Sequence, residues 1–93
     1  MPTYVMLTNL TSDGVKTLKS NPGRVQEVNK EVEALGAKVV NQWATLGRFD
    51  FITIVEAPDP ETMAKVSVEL GSRGTMTSET IVALPTDELV KNI

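Results

Sequence analysis

The sequence lacks both cysteine and histidine over its 93 residues. Without cysteine there is no disulfide and no thiolate metal site, and without histidine the commonest general base and metal ligand is missing. Aromatic residues are also scarce, with one tryptophan, one tyrosine and two phenylalanines. Any catalysis would have to use carboxylate, tyrosine, lysine or asparagine side chains. We therefore expect no metal and no cofactor.

The chain also lacks an excess of basic residues and a long apolar run. Twelve acidic residues against nine basic ones give a net charge of -3, whereas nucleic-acid binding favours a basic surface. No apolar run approaches the roughly 20 residues that a membrane helix needs. The start of the chain, Met1-Pro2-Thr3-Tyr4, has neither the basic nor the apolar region of an export signal. We expect a cytoplasmic protein that binds neither nucleic acid nor membrane.

The clearest positive signal is the stretch from Phe49 to Val55, which is mostly β-branched or aromatic and is typical of a strand. After it, Pro58 cannot continue a ladder and Asp59 can cap a helix. Similar signals along the chain predict four strands, at Tyr4–Leu10, Ala37–Thr45, Phe49–Glu56 and Thr75–Leu84. They also predict a short helix around Val15 and Leu18, a helix capped by Asn21, a helix from Pro60 to Gly71 and a C-terminal helix after Pro85.

This order, β-α-β-β-α-β with a tail helix, is typical of the ferredoxin-like, or split-βαβ, fold. We predict one α+β domain spanning residues 1–93, with both main helices on one face of the sheet. The sheet should be antiparallel throughout, in the order 4-1-3-2.

The register of the central hairpin follows from its side-chain pairs. A three-residue turn, Leu46–Arg48, sets Trp43 opposite Phe51 and Lys38 opposite Glu56, which gives an aromatic pair and a charge pair. Alternation then sorts the strands into two apolar faces. The face predicted under the helices holds Val5, Leu7, Val40, Ala44, Ile52 and Ile54. The face predicted to be open holds Tyr4, Met6, Leu10, Val39, Trp43, Phe49, Phe51 and Val55, with Thr8, Asn41 and Thr53 among them.

An open apolar face of that size is rare on soluble monomers. The simplest cover is the same face of a second copy, related by a two-fold axis. We therefore expect a homodimer or a higher oligomer, in which two sheets face each other as a dimeric α/β barrel.

The stretch Thr45-Leu46-Gly47-Arg48-Phe49-Asp50, followed by Val55-Glu56-Ala57-Pro58-Asp59, resembles the GYD domain family, which is named for a Gly-x-Tyr-Asp signature. Gly47, Arg48, Phe49 and Asp50 would be the family-motif residues, with Phe49 in place of the tyrosine. Further similar stretches are Asn21–Arg24, Gly71–Gly74 and Thr77–Thr80. The resemblance implies a dimeric α/β barrel and no established reaction.

Two carboxylates of the hairpin are candidates for chemistry, but their spacing is unfavourable. Asp50 and Glu56 are separated by roughly 20 Å along an extended strand, so they cannot share one substrate atom. Asp50 is better interpreted as ending a turn or pairing with Arg48 or Arg73. Glu56 is better interpreted as the partner of Lys38.

Aromatic and amide side chains suggest a ligand pocket at the sheet face instead. One hypothesis is a small-molecule-binding protein or cofactor-free enzyme, and the alternative is a non-catalytic assembly or regulatory module. The sequence leaves open whether the chain is an enzyme, and interface packing of the same residues is the competing interpretation. The candidate ligand-binding residues are Tyr4, Asn9, Asn41, Trp43, Phe51 and Glu79.

Overall fold

Four strands and four helices make up the computed structural model, which describes residues 1–93. The strands are β1 (Thr3–Leu10), β2 (Lys38–Ala44), β3 (Phe51–Glu56) and β4 (Met76–Ala83). The helices are α1 (Ser12–Ser20), α2 (Arg24–Ala34), α3 (Pro60–Gly71) and α4 (Thr86–Lys91). None of these helices has the length and hydropathy of a membrane-spanning segment.

The four strands form one sheet in the order β2-β3-β1-β4, and every neighbouring pair is antiparallel. This confirms the predicted sheet order and the α+β class. Strands β1 and β3 occupy the middle, where neighbours on both sides satisfy their backbone groups. Helix α2 packs against β2 and α1, and α3 packs against β4.

Two helix starts differ in how well they follow the predicted chemistry. The Asp59 carboxylate accepts a hydrogen bond from the Thr62 backbone N–H at 2.8 Å, so α3 begins as expected. The predicted N-cap at Asn21 is wrong, because α2 begins at Arg24 and its N-cap residue is Gly23. Helix α1 runs on to Ser20, so Asn21 ends α1 instead, and its N–H donates to the Thr17 carbonyl at 2.8 Å.

The central hairpin is one residue longer in its loop than predicted. The Thr45 N–H donates to the Asp50 carbonyl at 2.8 Å, so the loop spans residues 46–49 and β3 begins at Phe51. Gly47, with φ of +107°, supplies the left-handed residue that the loop needs. The predicted three-residue turn is therefore wrong.

A β-bulge at Val40 absorbs the extra residue. Lys38 stands opposite Glu56 as predicted, but beyond Val40 the register shifts by one and Asn41 pairs with Ile54. Trp43 consequently pairs with Ile52, so the predicted Trp43–Phe51 pair is wrong. The residues before the bulge keep the predicted register and those after it do not.

The two faces of the sheet are largely the reverse of the prediction. The helices cover the face that carries Tyr4, Met6 and Val55, which pack with Val66 and Leu70 in the core. We call this the covered face and the other the open face. Val5, Leu7, Ile52 and Ile54 therefore lie on the open face, not under the helices. The prediction of an open position was also wrong for Tyr4, Met6, Thr8, Leu10, Val39, Phe51, Thr53 and Val55.

Trp43 and Asn41 nevertheless lie on the open face, as predicted, because the bulge reverses the alternation of β2 after Val40. The reason for the wider error is physical. Both sets of alternating side chains on the middle strands are apolar, so alternation separates the sets without indicating which one the helices cover.

Candidate functional site

The open face has the anatomy of a protein contact surface. Its centre on the two middle strands is aliphatic and half-buried, and it consists of Val5, Leu7, Ile52 and Ile54. Trp43 on one edge strand and Ile81 on the other are 53% and 46% exposed. Polar side chains surround this centre, namely Asn9, Asn41, Glu56 and Glu79. An aliphatic centre with a polar rim is typical of protein–protein interfaces.

The six predicted ligand-binding residues are divided between the two faces. Asn9, Asn41, Trp43 and Glu79 lie on the open face. Tyr4 is only 3% exposed on the covered face, and Phe51 lines a cavity on that same face. The sheet itself separates the two groups, so the six residues do not form one site.

Asp50 holds the hairpin loop against the end of β1. Its Oδ2 accepts a hydrogen bond from the Leu10 N–H at 2.8 Å, and its own N–H donates to the Thr8 carbonyl at 2.8 Å. The predicted alternative, an ion pair with Arg48 or Arg73, is wrong. Asp50 therefore has a structural role at the end of the loop.

Glu56 and Lys38 stand opposite each other in the register, as predicted. Their charged groups nevertheless form none of the five ion pairs of the chain. No group of acidic side chains comes together in a way that could hold a metal ion.

The other family-motif residues build the loop itself. The Arg48 guanidinium lies 5.5 Å from the centroid of the Phe49 ring, a cation–π distance. The Thr45 hydroxyl donates to the Phe49 carbonyl at 2.7 Å. Together with the left-handed Gly47, these contacts fix the shape of the loop, so the motif has a conformational role in this chain.

A cavity of about 320 Å³ lies between the covered face and the helices α1 and α2. Its polar groups form a chain in which Asn29 Nδ2 donates to Gln42 Oε1 at 2.8 Å and Gln42 Nε2 donates to Thr53 Oγ1 at 3.0 Å. The sequence analysis missed this cavity. The sequence held no usable signal for it, because Gln42 stands opposite Thr53 only as a result of the register shift at Val40.

An ion-pair network spans the rim of this cavity. Glu31 on α2 binds Arg24 on the same helix at 3.3 Å, and it also binds Arg73, which follows α3. Hydrogen bonding from Arg73, with a smaller contribution from Arg24, lowers the pKa of Glu31 below its ordinary value. Hydrogen bonds to Glu27 and then Glu31 raise the pKa of Arg24. The network joins α2 to the segment after α3 on the covered face of the sheet.

The fold and the apolar open face define a small ferredoxin-like α+β domain with an uncovered sheet. The model of the GYD domain matches residues 4–93, and the chain belongs to this family. A relative from Thermus thermophilus, the glutamine synthetase and cystathionine β-lyase binding protein, is 44% identical over 94 residues. That match covers 100% of this chain and 99% of the relative.

Solved structures at lower identity share the fold. A crystal structure of a protein from Thermus thermophilus matches with a TM-score of 0.59 at 22% identity, covering 91% of this chain and 95% of that one. MtbAldR matches with a TM-score of 0.69 at 19% identity, covering 90% of this chain and 52% of its own. These two structures support the ferredoxin-like architecture alone.

Proposed function

We propose that this protein is a non-catalytic binding module that regulates a metabolic enzyme in the cytoplasm. The observation that carries the proposal is that apolar side chains are exposed in two separate places, the open sheet face and the segment from Leu84 to Ile93, so that one can serve self-association and the other a partner. The 44% identical, full-length relative is named as a binding protein for glutamine synthetase and cystathionine β-lyase. Those two enzymes are therefore the first partners to test.

We propose further that the open face binds a second copy of the chain and forms a dimeric α/β barrel. The centre of the face is aliphatic, and the edge strands add Trp43 and Ile81 at opposite sides of it. A two-fold contact lets both copies bury this same patch. Acidic side chains at the rim, Glu56 and Glu79, can stay in water at the edge of such a contact.

A charge placed in the centre of the open face tests the dimer. Ile52→Glu should convert the dimer to a monomer, because it would bury an unpaired carboxylate in the contact. Val68→Glu is the matched control, since Val68 is 72% exposed on α3. Light scattering after gel filtration measures the mass. A wild-type monomer at micromolar concentration, or an Ile52→Glu variant that stays dimeric, would contradict the proposal.

The C-terminal segment is the proposed contact with the enzyme. Once the open face is covered, the largest remaining run of exposed apolar side chains lies here. Leu84, Leu89, Val90 and Ile93 are 61%, 49%, 61% and 94% exposed. Helix α4 is held mainly by local bonds, such as that from Asn92 Nδ2 to the Glu88 carbonyl at 2.6 Å. The segment can therefore present its apolar side chains to a partner surface.

Binding to purified enzymes tests this contact. Immobilised glutamine synthetase and cystathionine β-lyase from the source organism should bind the wild-type protein saturably in a surface plasmon resonance measurement. The double variant Leu89→Asp, Val90→Asp should bind at least about tenfold more weakly, because buried apolar contact is replaced by charge. Val68→Asp is the control. Absence of binding to both enzymes would refute the regulatory function, and equal binding by the double variant would refute the assigned surface.

The second candidate function is small-molecule binding or cofactor-free catalysis in a pocket at the open face. The exposed indole of Trp43 beside Asn41 favours it, since both side chains lie on that face. Trp43→Ala separates the two candidates. If the face is a dimer contact, this variant should dissociate. If the face binds a ligand, the variant should stay assembled and lose ligand-induced thermal stabilisation.

A further inference from the structure

The cavity under α1 and α2 has the size and walls of a ligand site. Its volume of about 320 Å³ is roughly twice that of an engineered apolar cavity that binds benzene. Val28, Phe51, Leu70 and Met76 supply apolar walls. The cavity is therefore large enough for a single ring carrying a short polar substituent.

Hydroxyl groups on the covered face have unused hydrogen-bonding capacity toward this cavity. Thr8 is only 5% exposed and lines the cavity, and its hydroxyl makes no hydrogen bond within the chain; because no fully buried side-chain polar atom lacks a partner, this hydroxyl is accessible from the cavity. Thr53 is 6% exposed, and its Oγ1 accepts from Gln42, so its hydroxyl proton remains able to donate. A polar group of a bound molecule would complete these bonds.

The charge at the cavity rim does not favour an anion. The guanidinium groups of Arg24 and Arg73 are both bound by Glu31, and Glu27 and Glu69 each bind one of them as well. Three carboxylates thus neutralise two cations. Desolvating a charged ligand group in the apolar interior without a free counter-ion would be costly.

We infer that this cavity binds an uncharged small molecule, with an apolar body and one amide, carbonyl or hydroxyl group that hydrogen-bonds to Thr8 and Thr53. The inference goes beyond the proposed function and does not depend on it, because the cavity lies on the opposite face of the sheet from the proposed dimer contact.

A matched set of probes tests the site. Phenylacetamide, phenylacetate and ethylbenzene have similar bodies and carry a neutral polar group, an anionic group and no polar group. In NMR titrations of the full-length, isotope-labelled protein, phenylacetamide should shift the backbone signals of Thr8, Val28 and Thr53 saturably. The indole signal of Trp43 should not move. Phenylacetate and ethylbenzene should each bind at least about fivefold more weakly, because they lack a neutral hydrogen-bonding group.

Two variants locate the binding. Thr8→Val removes the hydroxyl while keeping the shape, so phenylacetamide should bind about five- to tenfold more weakly and ethylbenzene equally well. Its urea midpoint should not fall, because the hydroxyl has no partner in the chain. Thr77→Val, at an open-face position of β4, is the matched control and should change nothing. Val28→Phe fills the cavity and should abolish binding of all three probes.

Several results would overturn the inference. They are shifts confined to residues around Trp43, no saturable shift with any probe, equal affinity for the amide and the hydrocarbon, or affinity unchanged by Thr8→Val. None of these results alters the mass of the assembly or its binding to the purified enzymes. Failure of the cavity site is therefore distinguishable from failure of the proposed function.

Discussion

The two faces of the sheet differ in a way that composition does not suggest. The covered face carries hydroxyl and amide groups, including Thr8, Gln42 and Thr53, whereas the centre of the open face is wholly aliphatic. The helices pack on a face that has polar groups near its centre, whereas the polar groups of the open face lie around its rim. They do so because the apolar stripes of α2 and α3 meet the larger side chains Tyr4 and Met6 there.

Burial under the helices therefore does not require a wholly apolar sheet face. Hydroxyls under the helices are tolerated because they border a cavity or bond to a neighbour, as Thr53 does to Gln42. The aliphatic open face is left without cover inside the chain, and it therefore favours association with another protein.

The largest expected difference in stability is between substitutions at two adjacent residues of β1, one on each face of the sheet. Met6 is 3% exposed on the covered face, so Met6→Ala should lower the free energy of unfolding by about 2–5 kcal/mol. Leu7 lies on the open face, so Leu7→Ala should cost less within the subunit and act mainly on the proposed dimer. Urea unfolding at several protein concentrations measures both effects. If Leu7→Ala unfolds a dilute, monomeric subunit as severely as Met6→Ala, the face assignment is wrong.

A second prediction concerns Asp50, whose hydrogen bonds to Thr8 and Leu10 hold the hairpin loop against β1. Asp50→Ala leaves the Leu10 N–H without its charge-assisted bond and should cost about 1–3 kcal/mol of stability. Arg48→Ala is the control within the same loop, because Arg48 forms no ion pair and only a cation–π contact with Phe49. Thermal or urea unfolding measures the difference. A larger loss for Arg48→Ala than for Asp50→Ala would contradict the role assigned to Asp50.

Acid should lower the stability of the protein partly by protonating Glu31, which lies at the rim of the cavity on the covered face. Because the folded pKa of Glu31 is lowered, chiefly by hydrogen bonding from Arg73, the associated stability is present above the ordinary glutamate pKa. It should be lost as the pH falls from that value through the folded pKa. Glu31→Gln should therefore destabilise the protein at neutral pH, and this effect should shrink progressively as the pH is lowered below the ordinary glutamate pKa.

Glu33→Gln is the matched control for Glu31→Gln, since Glu33 is exposed on the same helix and forms no ion pair. Urea midpoints of the wild type and both variants, at neutral pH and at a series of acidic pH values, provide the measurement. The Asp59 carboxylate, whose pKa is lowered by its hydrogen bonds to Thr62, is present in all three proteins and cancels in the comparison. An equal effect of Glu31→Gln at every pH value would rule out this linkage.

Deletion of Val40 should have the smallest effect. The bulge places one extra residue between Val39 and Asn41, so its removal should restore a regular ladder and keep Trp43 on the open face. Stability should change by about 0.5 kcal/mol or less, as at other surface positions. In a monomeric background, the emission maximum of Trp43 should stay that of an exposed indole. A strong blue shift would mean that the deletion turns Trp43 toward the helices.

The sequence by itself determined the order of elements and the sheet. Local signals were sufficient there, since Pro58, Asp59 and Pro60 mark the start of α3 and the Lys38–Glu56 pair sets the first half of the hairpin register. The β-α-β-β-α-β order then leaves the 4-1-3-2 sheet as the favoured arrangement. The family-motif loop was also recognisable, because its residues are contiguous.

Only the tertiary structure decided which side of the sheet the helices cover. Alternation with a period of two separates the side chains of a strand into two sets, but both sets are apolar here. In β2, the bulge at Val40 also exchanges the faces to which odd- and even-numbered residues belong. The bulge explains why Trp43 and Phe51 lie on different faces, whereas Tyr4 and Asn9 are five positions apart on β1 and alternation alone separates them. The cavity depends on how α1 and α2 pack over Thr8 and Thr53, which are far apart in sequence. Such packing is a property of distant segments brought together, and no local pattern specifies it.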